Sequence, residues 1–498
     1  EDNIDSYYLF EAKEAIEEWF GALGLSDAAD KIKSCLILED SDKQAHFIKY
    51  IVNEDSQDLD SIRIFNRLNK GKIGLTNAEL IKALLIMDAE RSKEYSSEQL
   101  AIDWNYMERQ FQDESFWAFI SGGKEYQDRI DILFDFMTQK GDEDDADFSY
   151  RKFQNLYDFE LKAGKDVILD TLWKKLTHPT MREAWLEVKR MYDTLVAWYE
   201  DSMYYHYVGF LTTQGKTLHD IVTGIEKAKK DENGEEIKPW TREHIETALK
   251  RLMAQTFNEM TAVRPEDIDG WTYNGNNDIR GLLLLMNVET YKQTKYQRFP
   301  FHSYIKEEWD IEHIDSQNEA TGLRASEDRL RWMRLTSDIL MKEHHAIPNE
   351  KEAKALAEEL TSVVREKTEN GAIEDKDVKG LDSIYPTLYV KVVEHYSGKI
   401  SEQQGNKHAL GNLTLLDTAL NRSYQDAPFP YKRQCVMDTD LRGDKFVPMC
   451  TKNVFLKFYT NSNSSASFLD SMRWNKQDQD NYLAAIHKVV DPIFETNI

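Results

Sequence analysis

Three short stretches in the C-terminal part of the chain carry side chains that suit hydrolytic chemistry. They are Trp309–Ile314 (WDIEHI), Lys407–Leu416 (KHALGNLTLL) and Asn421–Ser423 (NRS). A histidine with a pKa near neutrality can take a proton from water, and carboxylate or amide oxygens suit Mg²⁺ or Mn²⁺. A base, a divalent ion and a group that orients the imidazole are what phosphodiester hydrolysis requires. These stretches are therefore candidates for that reaction.

The spacing of the polar residues sets conditions on the fold. Glu312 and His313 are adjacent, and neighbouring side chains of a strand point to opposite faces, so we expect a turn to bring both to one centre. Asn412 precedes the apolar Leu413–Leu416, which is typical of a strand, and Asn421 follows nine positions after Asn412 at the expected start of a helix. Each piece alone is ordinary; their order and spacing together favour a site.

Helical periodicity dominates the elements that must position these residues. Apolar residues recur at helical spacing in residues 7–23, residues 46–52 fit a short strand, and residues 96–285 are mostly helical in pattern. Thr76 and Glu79 form a predicted capping box. An apolar segment at 280–288 is followed by a change in character, which predicts a domain boundary near residue 290.

Composition restricts the partners and the location of the chain. Its 498 residues carry a formal net charge of −26, so any nucleic-acid contact is expected to be local. Between Lys407 and Lys457 eight basic residues accompany five acidic ones, although chance explains such an excess equally well. Three scattered cysteines favour reduced thiols and a cytoplasmic location. No apolar run approaches the ~20 residues of a membrane span, so no membrane partner is expected.

Taken together, the three stretches resemble the ββα-metal, or HNH, nuclease hairpin. In that family an acid-His pair ends the first strand, an Asn begins the second, and a His or Asn nine residues on lies in the helix. The resemblance implies that His313 is the general base and that Asn412 holds its ring. It also implies that Glu312 and Asn421 bind the metal, with Asp310 as a substitute for Glu312.

The pieces DIEHI, LGNLTLL and N-x-S, followed by F-x-x-K at Phe429–Lys432, resemble the nuclease domain of GmrSD-type proteins in particular. The resemblance places Lys432 near the substrate phosphate or in local structure, and it makes Arg422 a DNA contact. His408 is equally a candidate for a phosphate contact and for a structural role. The insertion before Asn412 is longer than in a minimal hairpin, and a helix is expected there at Glu350–Lys367.

Residues 62–86 resemble the second block of the ParB-like nucleotidase domain of the same family. Phe65 and Asn69 match its F-x-x-x-N core, and the resemblance implies that Phe65, Arg67 and Asn69 contact GTP or ATP. The first block, Asp-Gly-Gln-Gln-Arg, is absent from the sequence and is expected upstream of Glu1. We therefore expect a longer protein, in which the nucleotidase is complete.

The resemblance implies a mainly α fold with small α/β parts. We expect the C-terminal part of the nucleotidase domain at 1–95, a helical middle domain at 96–290 and an HNH domain with a helical insertion at 291–498. The implied function is a metal-dependent DNA endonuclease of a phage-defence system that senses modified DNA, with nucleotide coupling and self-association as further expectations. Two alternatives stay open: a nucleotide-responsive DNA-binding regulator with an inactive HNH fold, and an HNH nuclease directed at RNA.

Overall fold

The computed structural model shows two compact units, Glu1–Gly74 and Leu75–Ile498. The predicted nucleotide-binding residues Phe65, Arg67 and Asn69, and the strand predicted at 46–52, lie outside the described residues. The residues that the structure describes are 4–37, 75–141, 144–157, 169–170, 175–176, 180–230, 234–257, 264–275, 278–294, 297–315, 323, 326–346, 351–368, 380–397, 406–424, 427, 429–443, 445–459 and 474–497.

Two consecutive helices make up the described part of the first unit, α1 (Ile4–Leu23) and α2 (Leu25–Ile37). Gly24 separates them with a φ of 77°, a left-handed conformation that glycine adopts without strain. The helical periodicity of residues 7–23 is therefore confirmed.

The second unit is built mainly from helices, which confirms the mainly α prediction. Its described strands form two antiparallel pairs, β1 (Leu169–Asp170) with β2 (Lys175–Leu176) and β3 (Asp310–His313) with β4 (Leu413–Leu416). Short 3₁₀ turns lie at Pro265–Gly270, Leu410–Asn412 and Glu495–Asn497. The helices are α3 (Asn77–Ser92), α4 (Ser97–Phe111), α5 (Glu114–Ser121), α6 (Asp131–Thr138), α7 (Phe148–Tyr157), α8 (Met181–Glu200), α9 (Ser202–Thr213), α10 (Leu218–Lys227), α11 (Arg242–Gln255), α12 (Ile279–Lys292), α13 (Phe301–Lys306), α14 (Ser326–Ala346), α15 (Lys351–Thr368), α16 (Leu381–Ser397), α17 (Thr418–Tyr424), α18 (Phe429–Arg442), α19 (Met449–Phe455) and α20 (Lys476–Phe494).

Side-chain caps fix where several of these helices begin. Thr76 Oγ1 accepts the Glu79 amide at 3.2 Å, and the Glu79 carboxylate accepts the Thr76 amide at 2.8 Å, which confirms the predicted capping box. Thr180 and Glu183 form the same reciprocal pair at the start of α8. Each pair satisfies amides that the helix itself leaves free, so α3 and α8 begin at defined positions.

Aromatic rings from α4, α6 and α8 form a core in the N-terminal part of this unit. The buried Trp104 ring stacks on Phe134 and on Trp185, with ring centroids 5.7 and 6.1 Å away. The Trp104 indole donates to Glu108 at 2.6 Å, so the buried ring keeps a hydrogen-bond partner. Such ring pairs contribute about 0.5–1.5 kcal/mol each beyond the area they bury.

Helix α12 joins the helical middle of the chain to the strand pair β3–β4. Its residues Leu282–Met286 are buried, and the helix packs against α9, α19, α20 and both strands. The domain boundary expected near residue 290 therefore falls at the end of α12, a helix that packs against elements on both sides of that position. The boundary expected at residue 95 likewise lies between α3 and α4, which pack against each other.

Among the described residues, helices α14, α15 and α16 form the insertion between β3 and β4. The Trp332 ring packs against Tyr385 and Tyr389, with ring centroids 5.3 and 5.5 Å away. Helix α15 confirms the helix predicted at Glu350–Lys367. No described helix is both long enough and apolar enough to cross a membrane.

Acidification is expected to destabilise the second unit through His206, a buried residue of α9. Its Nε2 accepts a hydrogen bond from the Phe299 amide at 3.2 Å, and its Nδ1 donates one to the Ser202 carbonyl at 2.7 Å. One nitrogen accepts and the other donates, which is the pattern of the neutral imidazole. Burial lowers the pKa of His206 from 6.5 to about 4. The stability it contributes is therefore complete above pH 6.5 and is lost as the pH falls through 4, by an amount on the order of 3 kcal/mol.

Urea unfolding at steps between pH 7 and pH 4 measures this loss. The variant His206→Gln removes the titrating group, so its free energy of unfolding should depend less on pH over the same range. An identical pH dependence in the variant would show that other groups cause it.

Candidate active site

Strands β3 and β4 bring the predicted stretches side by side. Asp310 pairs with Leu416, and His313 pairs with Leu413, the residue after Asn412. Helix α17 follows β4 directly and contacts β3. Two antiparallel strands and a helix therefore hold all three stretches, although the chain between the strands contains the helical insertion.

Glu312 and His313 both lie within β3, which corrects the expectation of a turn between them. Successive side chains of a strand point to opposite faces. Glu312 is buried on one face, and the half-buried His313 points to the other. The two side chains therefore do not converge on one centre.

The Glu312 carboxylate is paired with a lysine in the interior. The Lys432 ammonium, from α18, donates to Glu312 and, at 2.8 Å, to the His313 carbonyl. The side chains of Lys432 and Glu312 are only 1 % and 5 % exposed. Of the two roles expected for Lys432, these bonds agree with the one in local structure, since its buried ammonium is paired inside the protein.

Asn412 is fully buried, and its side chain connects two backbone segments. Its Oδ1 accepts the Asp315 amide at 2.9 Å, and its Nδ2 donates to the carbonyls of Asp315 and Lys407 at 2.9 and 2.8 Å. The Asn412 carbonyl also accepts the Ile314 amide at 2.9 Å. These bonds fix the chain directly after His313. The side-chain bonds of Asn412 thus run to backbone, and the bond to the imidazole that the resemblance implied is not among them.

Replacing Asn412 with alanine is expected to lower the free energy of unfolding by about 2–4 kcal/mol, because it removes three hydrogen bonds that its buried side chain makes to the half-buried backbone of Asp315 and Lys407. Chemical denaturation measures the effect. Asn105→Ala, at an exposed position of α4, is a matched control and should change stability by less than about 0.5 kcal/mol. A loss at Asn412 no larger than that of the control would contradict the bracing role.

The turn before β4 lies directly against the segment that contains α20. A Cβ atom at Gly411 would lie 2.6 Å from the Gln479 carbonyl oxygen, so only glycine allows this approach. The Trp474 indole donates to the Gly411 carbonyl at 3.2 Å. Residues 474–479 therefore cover the strand pair from outside the hairpin.

The predicted metal ligands suit a divalent ion only in part. Asn421 donates from Nδ2 to the Ile311 carbonyl at 3.2 Å, which leaves its Oδ1 beside β3. Asp310 is exposed, and its Oδ1 accepts the Ile311 amide at 2.8 Å. Glu312 balances Lys432, and no three His, Cys, Asp or Glu side chains within the described ranges are grouped to hold an ion. Asn421 fits as an oxygen donor, whereas Asp310 lies two positions from Glu312 on β3 and therefore shares its face, opposite His313.

The His313 imidazole lies beside two rings from other parts of the chain. The Tyr273 ring centroid is 4.6 Å away and that of His408 is 6.2 Å away. Burial, and then the nearby Lys432, His408 and Lys407, lower the pKa of His313 from 6.5 to about 3. The ring is therefore neutral at pH 7, and the same burial makes it a weaker base than an exposed imidazole.

Of the predicted DNA contacts, His408 makes a ring contact with His313. It is half-buried, its Nδ1 lies 3.4 Å from the Asn274 amide nitrogen, and the neighbouring Lys407 pairs with Asp315 at 3.3 Å. Arg422 lies in α17, and its side chain is outside the described residues.

Tyr273 was missed by the sequence patterns, since the WTYN stretch contains no motif and its only signal is its aromatic content.

The second strand of the pair, β4, and the helix after it lie in a region that matches a known family. Residues 347–488 match the C-terminal domain of GmrSD restriction endonucleases. This GmrSD-like region contains Asn412, Asn421 and Lys432, whereas His313 precedes it. The match supports the resemblance for the C-terminal region and does not extend to the ParB-like part. No curated protein and no solved structure matches the chain.

Proposed function

We propose that the chain is a DNA endonuclease that hydrolyses phosphodiester bonds at His313. The observation that carries the proposal is the position of this neutral, half-buried imidazole on a strand pair whose second strand and following helix belong to the GmrSD-like region. The order strand, strand, helix, with Asn421 on the helix, agrees with an HNH or ββα-metal site. The formal net charge of −26 restricts DNA to a local surface, to which His408 and Arg422 are proposed to contribute.

In the proposed reaction, water attacks the phosphorus atom while His313 takes its proton. A new P–O bond forms, the bond to the departing 3′ oxygen breaks, and that oxygen takes a proton from solvent. A bound Mg²⁺ or Mn²⁺ would neutralise charge on the phosphate oxygens, and Asn421 is the residue proposed to hold it. Asn412 and Lys432 fix the backbone around the imidazole through the hydrogen bonds described above.

A plasmid assay tests this proposal. The full chain is incubated with supercoiled DNA and Mg²⁺ or Mn²⁺, with and without EDTA, beside an RNA substrate of similar length. Nicked or linear DNA that disappears with EDTA is expected. Cleavage that EDTA does not affect would contradict metal dependence, cleavage of RNA alone would favour an RNA nuclease, and binding of DNA without cleavage would favour a regulator.

The wider role is proposed from the same family. We propose that the protein acts in phage defence on modified DNA, with GTP or ATP coupled to cleavage and with self-association. Parallel arms with base-modified and backbone-modified DNA, each with and without GTP or ATP, test the first two points. Sedimentation of the chain at several concentrations tests the third.

A further inference from the structure

A segment from the helical middle of the chain forms part of the proposed active site. Thr272 makes an antiparallel bridge with Ala409, and the Tyr273 amide donates to the His408 carbonyl at 2.9 Å. The Leu410 amide donates back to the Trp271 carbonyl at 3.3 Å. The backbone of residues 271–273 is therefore held at the chain that leads into β4, beside the imidazole.

The neighbouring Trp271 anchors this segment. Its ring is buried, with 6 % exposed, and lies 6.1 Å from the ring of Phe257. Tyr273 differs from Trp271, because 43 % of it is exposed. Trp271 therefore packs this segment into the core. Tyr273 is too exposed for core packing to account for its position against His313.

The Tyr273 ring makes an edge-on contact with His313, at a centroid distance of 4.6 Å and an interplanar angle of 69°. Its hydroxyl forms no hydrogen bond with any described residue. The interaction that the Tyr273 side chain makes with the described residues is therefore its ring contact with His313. A T-shaped contact of this kind restricts rotation of the smaller ring about its Cβ–Cγ bond.

We infer that Tyr273 is a positioning residue, whose ring holds the His313 imidazole in the orientation that takes the proton from water. The inference rests on the proposed function. The ring performs this role and the hydroxyl does not. Loss of one ring contact permits other imidazole orientations, so the expected effect is roughly a tenfold lower kcat with KM unchanged.

The variants Tyr273→Ala and Tyr273→Phe test the inference by plasmid cleavage. Alanine is expected to lower kcat roughly tenfold, and phenylalanine is expected to retain kcat within about twofold. In a His313→Ala background, Tyr273→Ala is expected to cause no further loss. Tyr106→Ala is the matched control, because Tyr106 is 64 % exposed and makes one T-shaped contact, with Tyr192 at 6.3 Å, on helices α4 and α8.

A readout without substrate separates this inference from the proposed function. In a chain with ¹³C-labelled histidine, the His313 ring signal should carry a ring-current shift that Tyr273→Ala removes and Tyr273→Phe keeps. An unchanged signal in Tyr273→Ala, or an equal loss of kcat in the phenylalanine variant, would overturn the positioning role. Absence of His313-dependent cleavage in the unmodified chain would overturn the proposed function, and the inference with it.

Discussion

The His313→Ala variant is expected to cleave DNA about 10²–10⁴-fold more slowly than the unmodified chain, because a positioned general base contributes that range to the rate. His313 carries this effect since its half-buried, neutral ring is the proposed base on β3. Initial rates of plasmid nicking in Mg²⁺ and in Mn²⁺ measure it. The affinity for DNA should change little, because the proposed phosphate contacts come from other side chains.

His345→Ala is the matched control for this variant. His345 is exposed on α14 in the insertion, so its loss should leave the cleavage rate unchanged. Equal activity of His313→Ala and the unmodified chain would end the proposal that His313 is the base. Equal loss in both variants would point to a general effect on folding, which thermal unfolding of the two proteins would show.

Replacing Lys432 with methionine is expected to lower the free energy of unfolding by about 3–5 kcal/mol, because it removes the ammonium that pairs with the buried Glu312 carboxylate. Glu312→Gln should also destabilise, since it leaves the ammonium unbalanced. The double variant with Glu312→Leu and Lys432→Met should recover much of the loss, because two apolar side chains then replace a buried ion pair. Urea unfolding of the unmodified chain, Lys432→Met, Glu312→Leu and the double variant gives the coupling free energy.

An exposed ion pair provides the comparison. Lys476 and Asp480 pair on the surface of α20 with 56 % and 47 % of their side chains exposed, so Lys476→Met should cost less than about 1 kcal/mol. A loss in Lys432→Met as small as this would contradict the structural role of the pair. Stabilisation of the unmodified chain by Mg²⁺ that disappears in Glu312→Gln would instead identify Glu312 as a metal ligand.

Much of the fold was predictable because its signals are local. The capping box at Thr76 and the apolar segment at 280–288 depend on residues within a few positions of each other. Strand β4 was predictable from its apolar run, and the helix that carries Asn421 from its place after that run. The strand pair itself came from the family resemblance, since the insertion removes any local turn signal.

The details of the site depend on contacts that no local pattern records. Lys432 lies 120 positions from Glu312, so its burial follows from the packing of α18 against β3 and not from the F-x-x-K pattern. Tyr273 reaches His313 through an isolated bridge at Thr272, which leaves no periodicity in the sequence. The turn expected between Glu312 and His313 was wrong because strand geometry separates their side chains.

The contact between Gly411 and Gln479 ties the strand pair to residues that are synthesised after it. While a ribosome is still adding residues before Trp474, the turn that leads into β4 has neither the indole hydrogen bond nor the cover of α20. An interrupted chain that stops there keeps His313 and Asn421 but lacks this support. Truncated products of the protein are thus expected to be less stable at this turn, and any cleavage that depends on His313 should fall with them.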